Sequence, residues 1–304
     1  MHDLIIIGAG PAGLAAALYA TKKRLDYLVL SRDLGGKSNY SVDLPETERG
    51  ATIRADELVT VYRSTLEYLR HSYRLVGVTG LRQDDDGFTA ELEDGSTESA
   101  RAVIVSTGTH VRKLDVPGEL TFLSRGLGYS SISYSHLFRG KRVFIAGNTD
   151  RAVNSAIELS IHADAVTLAL LPGGACDSTL VERARGLDRV DVIENATIDE
   201  FRGDEYAREA VVSSDGASRT IEADGFFVEP EPVPNADFVF DEVGRDKDGY
   251  IVVDGTNSTN VRGLYAAGDV TGNGYEQILV SLGEGAKAAL SAYRYLLSTG
   301  LEGR

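Results

Sequence analysis

The chain has 304 residues, which is enough for two domains, and its 42% apolar and 25% charged content is typical of a globular protein. A net charge of −15 opposes binding to nucleic acid and to an anionic membrane surface. One cysteine excludes an intrachain disulfide and a cysteine-based metal cluster within these residues, and five scattered histidines without ligand spacing indicate no metal site.

The first predicted element is a buried strand. Residues 3–7 (Asp-Leu-Ile-Ile-Ile) form an aliphatic run, which is typical of a parallel strand covered on both faces. The run is short and lacks a basic flank, so it is not a signal peptide, and no apolar run reaches the roughly 20 residues of a membrane span. We therefore expect a cytoplasmic protein that does not enter membranes.

A glycine-rich turn follows this strand and opens a helix predicted over residues 14–21. Gly8 permits the tight turn, Gly10 leaves room for a pyrophosphate near the backbone, and Gly13 lets helix and strand pack closely. The helix N-terminus presents N–H groups to the anion. The residues predicted to line this turn are Gly8, Gly10, Pro11, Ala12 and Gly13. A GxGxxG placed between a strand and a helix predicts a dinucleotide site.

The second strand, residues 27–30, ends at Ser31-Arg32-Asp33. Asp33 stands where an acidic side chain receives the ribose hydroxyls in such sites. Its carboxylate would repel a 2′-phosphate, so the site favours FAD or NAD over NADP. Two alternatives stay open: Ser31 serves instead, or Asp33 is a solvated loop acid beside Arg32.

A hairpin and a second nucleotide-type unit follow. Asp94-Gly95 predicts a hairpin turn between strands at 88–92 and 99–103. Further on, a strand, a glycine turn at Gly147, a helix and another strand repeat the order of the first unit. These elements are predicted at residues 142–146, 153–162 and 165–171.

The last segment contains a short apolar strand, residues 263–270, and an alanine-rich helix over 285–297. Asp269 lies at the carboxyl end of this strand, where open α/β sheets bind ligands. Crossovers between two domains are predicted at 114–119 and at the proline-rich residues 230–234.

Together these motifs resemble the low-molecular-weight thioredoxin reductase group of two-domain flavoproteins. The matching segments are Gly8–Gly13, Gly35-Gly36, Thr107-Gly108, Phe138–Lys141, Phe226–Val228, Pro234-Asn235, Gly268-Asp269 and Tyr275–Gln277. The resemblance implies an α/β fold of two nucleotide-binding (Rossmann-like, three-layer ββα) domains, the second inserted into the first. It places the FAD domain at 1–113 and 246–304 and a degenerate pyridine-nucleotide-type domain at 114–245, and it implies a homodimer.

The resemblance also implies that the cofactor is FAD. Asp269 would contact its ribityl or phosphate portion and Gln277 its isoalloxazine edge, whereas Glu276 replaces the usual basic residue. A helix cap is the alternative role for Asp269. Besides the first glycine turn, the predicted FAD-binding residues are Ser31, Arg32, Asp33, Gly35, Gly36, Lys37, Thr107, Gly108, Gly268, Asp269, Glu276, Gln277 and Ile278.

One departure from the group concerns its redox motif. Where relatives have Cys-x-x-Cys, this chain has Ser130-Ser131-Ile132-Ser133, and serine hydroxyls cannot cycle between dithiol and disulfide. Replacement of two cysteines by engineering would give the same pattern. Cys176 has no partner and is interpreted as a structural thiol. The residues predicted near the flavin are Tyr129, Ser130, Ser133, Tyr134 and His136, although the tyrosines are equally interpreted as hinge packing and the histidine as structural.

The other departure concerns the second nucleotide site. Relatives have Gly-x-Gly-x-x-Ala, but here Thr149 takes the middle glycine position, and its Cβ would crowd a pyrophosphate. Relatives place arginines after the next strand, but residues 171–177 contain none, and the first arginine beyond them is Arg183. NAD(P)H binding is therefore predicted to be weak or absent. Another ligand, or a purely structural domain in which residues 148–150 cap a helix, stays open.

Three functions follow from this pattern. The first is an FAD-dependent oxidoreductase without dithiol chemistry, whose donor and acceptor, small molecule or protein, are unidentified. The second is a ferredoxin–NAD(P) reductase-like enzyme, disfavoured by the weakened nucleotide site and by the repulsion between acidic carriers and a charge of −15. The third is a non-catalytic flavin-binding sensor or scaffold.

Overall fold

The computed structural model describes residues 1–39, 42, 44, 55–69 and 72–300, with backbone alone at positions 55 and 56. The described residues form two compact units. Unit 1 contains those of Met1–Asn39, Thr52–His110 and Val233–Arg304, and unit 2 contains those of Tyr40–Ala51 and Val111–Pro232. Unit 1 is therefore assembled from both ends of the chain.

A seven-stranded sheet forms the centre of unit 1. Its strands are β1 (His2–Ile7), β2 (Tyr27–Ser31), β3 (Tyr73–Leu75), β4 (Val78–Asp84), β5 (Gly87–Leu92), β6 (Thr97–Val105) and β17 (Leu264–Ala266). The order is β3-β2-β1-β6-β5-β4, and β17 also pairs with β6. β1 lies parallel to β2 and β6, whereas β5 pairs antiparallel with the first half of β6 and β17 pairs parallel with its second half.

Alternate residues of the central strands face two different cores. Leu4 and Ile6 of β1 contribute to one apolar cluster, and Ile5 and Ile7 contribute to the other. The first cluster includes residues of the helices α1 (Pro11–Lys22), α2 (Ala55–Tyr68) and α6 (Ile278–Ser298). Since both faces are covered, an all-aliphatic β1 is buried along its length, which is the pattern of a parallel strand in an α/β layer structure.

Helix α6 begins seven residues before the predicted position, at Ile278 rather than at residue 285. Gly285 therefore lies inside the helix, where a Cβ would stand 1.9 Å from the carbonyl oxygen of Ala12 in α1. The absent side chain lets α6 pack directly against the first turn of α1.

Unit 2 contains a five-stranded parallel sheet and a three-stranded antiparallel sheet. Its strands are β8 (Leu127–Gly128), β9 (Arg142–Thr149), β10 (Ala165–Ala175), β11 (Val190–Ile193), β12 (Thr197–Gly203), β13 (Ala207–Ser214), β14 (Ala217–Glu222) and β15 (Gly225–Glu229). Its helices are α3 (Glu119–Phe122), α4 (Asp150–Leu159) and α5 (Ser178–Arg185). The parallel order is β11-β10-β9-β15-β8, and the antiparallel order is β12-β13-β14.

The chain changes units between residues 110 and 111 and between 232 and 233. The short strands β7 (Thr109–Val111) and β16 (Pro232–Pro234) pair there. The predicted crossover at 114–119 lies within unit 2, because Leu114 packs against that unit's apolar core. Ala236, Val239 and Val243 are buried in the core of unit 1, so the segment up to residue 245 joins unit 1. The assignment of an FAD domain and a degenerate nucleotide domain to these segments stays a prediction.

Both units are layered α/β structures, and the predicted fold class is confirmed. In the part of the chain that the structure describes, no helix is long and apolar enough to cross a membrane.

Candidate functional site

The first glycine turn connects β1 to α1 in unit 1. Gly8 has a φ of +99°, and a Cβ on it would lie 2.4 Å from the carbonyl oxygen of Ser106. At Gly13 a Cβ would lie 1.9 Å from the carbonyl oxygen of Gly8. The Ser106 hydroxyl donates to that same oxygen at 2.9 Å. Both glycines are therefore required by close backbone contacts, as expected for a helix packed tightly against the end of a strand.

Gly10 differs from these two glycines because it borders open space. A Cβ on it would meet no atom within 4 Å. Helix α1 begins at Pro11, and its first backbone bond runs from Leu14 N to Gly10 O at 2.9 Å. The N–H groups of Ala12 and Gly13 precede that bond and point out of the helix end, and the first turn carries no acidic residue. This open, electropositive end suits the pyrophosphate of a dinucleotide.

The segment after β2 is held against this turn by its own polar groups. The Ser31 hydroxyl accepts a bond from Ala9 N at 3.1 Å, and Gly35 N donates to Ala9 O at 2.8 Å. The Asp33 carboxylate accepts from Gly36 N at 2.8 Å. Asp33 is exposed, and the bond to Gly36 fixes the turn that carries the two glycines.

Arg32 turns away toward a different partner. Its guanidinium forms an ion pair with Glu93, and its Nε donates to that carboxylate at 3.0 Å. This hydrogen bond lowers the pKa of Glu93. Both side chains are well exposed, so the pair is a surface feature with little effect on stability.

The turn after β6 is fixed by a residue from the second crossover. Thr107 Oγ1 donates to the carbonyl oxygen of Asn235 at 2.6 Å, and the Asn235 side chain donates back to Thr107 O at 2.9 Å. Asn235 N also donates to the carbonyl oxygen of Gly108, which has a φ of +63°. These bonds hold the Thr107-Gly108 turn at the same carboxyl edge of the sheet as Gly8 and Asp269.

An ion cluster joins three separate segments of unit 1. The ammonium of Lys37 lies 2.6 Å from Asp269 Oδ2 and 3.3 Å from Glu276 Oε2, and it donates to Thr109 Oγ1 at 2.8 Å. Asp269 follows β17, and Glu276 lies just before Gln277, the residue at the N-cap of α6. We call Lys37, Asp269 and Glu276 the Lys37 cluster.

The Lys37 cluster is supported from inside α6. Ser281 Oγ donates to Asp269 Oδ1 at 3.3 Å, and Glu284 accepts from Gly268 N at 2.8 Å. Sequence reasoning missed Thr109, Ser281 and Glu284. Ser281 and Glu284 are three residues apart, so they lie on one face of a helix that starts at 278. The prediction of a helix start at 285 left both residues outside the helix.

The residues predicted near the flavin lie in unit 2. The hydroxyls of Ser130 and Ser133 are 3.1 Å apart. Tyr129 donates to Glu119 at 3.3 Å and packs against the apolar core of its unit, as does Tyr134, whereas His136 is exposed. The structure thus groups these residues with one another and groups the FAD-binding candidates in unit 1. Their role toward a flavin stays a prediction.

A buried carboxylate that sequence reasoning missed anchors the serine segment. Glu229 is 1% exposed and ends β15. Its Oε1 accepts from Ser131 N at 2.5 Å, and its Oε2 accepts from the hydroxyl of Ser155 in α4 at 2.7 Å. Strands β9 and β15 are adjacent at the centre of the parallel sheet, with the connections running in opposite directions on either side. Glu229 therefore lies at the switch point where such sheets bind dinucleotides.

The second glycine turn, at the end of β9, is covered by the chain itself. A Cβ on Gly174 would lie 1.7 Å from Asn148 O, so the extended end of β10 rests on this turn. The Asn148 side chain accepts from Glu231 N at 3.1 Å. Asp150 opens α4, and its carboxylate accepts from Asp177 N at 2.7 Å. Unlike α1, this helix carries a negative charge at its N-terminus.

Cys176 is half-buried beside this turn. Burial, and to a lesser extent the charge of Asp150, raise the pKa of its thiol. Within the described residues, no group of three or more His, Cys, Asp or Glu side chains is arranged to hold a metal ion.

The family model of pyridine nucleotide-disulphide oxidoreductases matches residues 2–285. The chain belongs to this family. Members bind FAD and use NAD(P)H, so the membership supports FAD as the cofactor. The chain is a flavoprotein of thioredoxin reductase-like fold, and its single cysteine fits no dithiol motif.

Individual relatives agree with this membership. The chain is 33% identical over 303 residues to an NADH dehydrogenase of Bacillus subtilis and 34% identical over 313 residues to an alkyl hydroperoxide reductase component from Escherichia coli. These matches cover 97% and 98% of the chain but 58% and 59% of the relatives, so the chain spans about three fifths of their length. The crystal structure of thioredoxin reductase from Streptococcus pyogenes is 30% identical, with a TM-score of 0.87 over 98% of this chain and 99% of that one.

Proposed function

We propose that the protein is an FAD-dependent oxidoreductase that works without a dithiol at positions 130–133 and without NAD(P)H in unit 2. Electrons pass through FAD from a donor to an acceptor that are both still to be identified. The observation that carries the proposal is the contrast between two glycine turns, the first open and electropositive and the second covered and acidic.

The first turn fits the cofactor. A pyrophosphate fits in the open space at Gly10, next to the free backbone N–H groups at the start of α1. Segments around residues 36, 107 and 269 complete the site. When bound there, FAD supplies one- and two-electron chemistry, whereas the protein orients it and sets its electrostatic surroundings. The residues that would hold it are those of the first glycine turn, Gly35-Gly36, Thr107-Gly108 and the Lys37 cluster. We call this set the FAD cradle.

The serine segment supports the loss of dithiol chemistry. Ser130 and Ser133 hold each other by a hydrogen bond, and alcohol oxygens of this kind do not form a reversible O–O bond under conditions where thiols form a disulfide. Cys176 cannot take over this role within the chain, because a disulfide requires a second thiol.

Three features of unit 2 oppose a bound nicotinamide dinucleotide. Asp150 places a carboxylate at the helix end where the pyrophosphate would bind, so it offsets the partial positive charge of that end and repels a second anion. The end of β10 at Gly174 lies on the turn itself. Glu229 fills the switch point with a second carboxylate already bonded to Ser131 and Ser155. Each feature excludes the ligand by charge or by volume.

An anaerobic titration tests the proposal. The FAD-loaded protein is mixed with excess NADH, then NADPH, and afterwards dithionite, while the absorbance of oxidised flavin is followed. We expect neither nucleotide to bleach it within minutes and dithionite to bleach it reversibly with air. Rapid bleaching by either nucleotide would contradict the proposal, and a protein that takes up no FAD would remove its basis.

A second candidate function is favoured by the similarity to a protein named NADH dehydrogenase. On this alternative the protein takes electrons from NADH and passes them on, as in a ferredoxin–NAD(P) reductase-like enzyme. The absence of arginine from residues 171–177 favours NADH over NADPH as the donor. Bleaching by NADH that is at least tenfold faster than bleaching by NADPH, together with calorimetric binding of NADH alone, would select this alternative.

A further inference from the structure

We infer that Lys37 provides the cation of the FAD cradle in place of the basic residue that the family resemblance leads us to expect at position 276, and that Glu276 serves as its counter-charge. The inference rests on the proposed FAD function. It assigns Lys37 and Glu276 a joint role. The positive charge is carried by the turn after β2 and not by the segment before α6.

The contacts of Lys37 are the first support for this inference. Its ammonium reaches Asp269 at 2.6 Å, Thr109 at 2.8 Å and Glu276 at 3.3 Å, so one nitrogen joins the ends of three segments. The Lys37 cluster differs from most other ion pairs of the described residues in exposure, because those pairs use carboxylates that are more open to solvent. The Lys37 side chain is 38% exposed, whereas those of Asp269 and Glu276 are 12% and 24% exposed.

The charge balance is the second support. Without Lys37, the carboxylates of Asp269 and Glu276, which are only 12% and 24% exposed, would face each other unneutralised at the edge of the proposed FAD site. Like charges at low solvent exposure destabilise one another and repel an anion. Lys37 neutralises one of them, so it is the residue that makes this edge compatible with FAD.

The position of residue 37 is the third support. The preceding Gly36 lies against the first glycine turn, because a Cβ on it would come within 3.3 Å of Gly10 Cα. Glu276 reaches the same ammonium from the start of α6. A cation at position 37 and a cation at position 276 would therefore occupy the same edge of the cradle. This explains how an acidic residue is tolerated at position 276.

The test measures FAD affinity of the full chain after removal and re-addition of FAD, followed by flavin fluorescence. K37M keeps the apolar stem and removes the charge, and we expect its dissociation constant to rise roughly 10- to 100-fold, as for loss of one partner from a desolvated pair. K37M/E276R returns a cation from the other side, and we expect it to recover to within about threefold of the unsubstituted chain. K247M is the matched control, because Lys247 is 90% exposed and lies in the same unit, and it should leave affinity unchanged.

The outcomes separate this inference from the proposed function. If the unsubstituted chain takes up no FAD, the proposed function is wrong. If that chain binds FAD but K37M binds equally well, or if E276R does not rescue K37M, the inference alone is overturned, because a packing role for Lys37 would not be rescued by a charge at another position. If K37M does not fold, the double variant decides: a folded, FAD-binding K37M/E276R supports the inference, and failure of both overturns it.

Discussion

The buried carboxylate of Glu229 offers a sharp test of how unit 2 is held together. It is 1% exposed and accepts one hydrogen bond from the backbone of Ser131 and one from the hydroxyl of Ser155. These two partners belong to the serine segment and to α4, so Glu229 ties both to the central strand β15. E229A would leave two buried donors without an acceptor and would also leave a cavity.

The magnitude follows from these two bonds. A hydrogen bond to a charged group contributes about 1.5–3 kcal/mol, so E229A should destabilise the protein by about 3–5 kcal/mol. E229Q retains an acceptor for Ser131 N and offers its amide to Ser155 Oγ, so we expect a loss of no more than about 1.5 kcal/mol. S155A removes one of the two bonds and should lie between these values, at about 1.5–3 kcal/mol.

Urea unfolding of the FAD-loaded chain, followed by circular dichroism, measures this series. We expect the midpoint of E229A to fall by about 1 M or more. The control is E231A, since the exposed Glu231 is two residues away and contributes to the turn through its backbone N–H, which alanine keeps. If E229A unfolds within about 0.5 kcal/mol of E231A, the assignment of Glu229 as the anchor is wrong.

Three further predictions concern side chains of unit 2. The hydroxyls of Ser130 and Ser133 are 3.1 Å apart, so S130C/S133C should form an internal disulfide on air oxidation. Ellman's reagent should then titrate one remaining thiol, that of Cys176. Three titratable thiols in the folded, air-oxidised protein would contradict this prediction. Burial and then Asp150 raise the pKa of the Cys176 thiol, so its labelling by a disulfide reagent at pH 7 should be slower than that of a free cysteine, and D150N should accelerate it; equal rates would contradict the effect of the carboxylate. Backbone N–H groups at the start of α5 lower the pKa of Asp177, so its stabilising effect is complete above the unfolded pKa of about 3.9 and is lost as the pH falls through the lowered folded value. The urea midpoint of D177N should depend less on pH below about 4 than that of the unsubstituted chain, and an identical pH profile would contradict the cap.

The local parts of the fold were predictable because their signals lie close together in the sequence. β1, the glycine turn and α1 occupy adjacent residues, and the alternation of apolar residues directly reflects two covered faces. The hairpin at Asp94-Gly95 is equally local and joins β5 to β6.

The parts that sequence reasoning missed depend on distant partners. The helix predicted over 285–297 begins earlier, at Ile278, and Gly285 inside it is required by contact with Ala12, more than 270 residues earlier. Glu229 is an ordinary acidic residue in the sequence, and its role depends on Ser131 and Ser155, which approach it only in the folded sheet.

The same reasoning applies to the cofactor cradle. The glycine motif predicts a pyrophosphate site, but no sequence pattern indicates that Lys37 meets Glu276, which lies far away in the chain. The acidic residue at position 276, where the resemblance leads us to expect a basic one, can be interpreted only once its contact with Lys37 is known.

The discontinuity of unit 1 has a consequence for synthesis on the ribosome. Residues 111–232 form most of unit 2 and leave the ribosome as one stretch, so their parallel sheet can assemble while translation continues. Strands β1, β2 and β6, although made earlier than unit 2 or during its start, must wait for β17 and α6, which follow residue 263 in the chain. A chain that terminates before residue 264 therefore lacks β17 and α6, so the earlier part of unit 1 is left without one strand of its sheet and one helix of its apolar core.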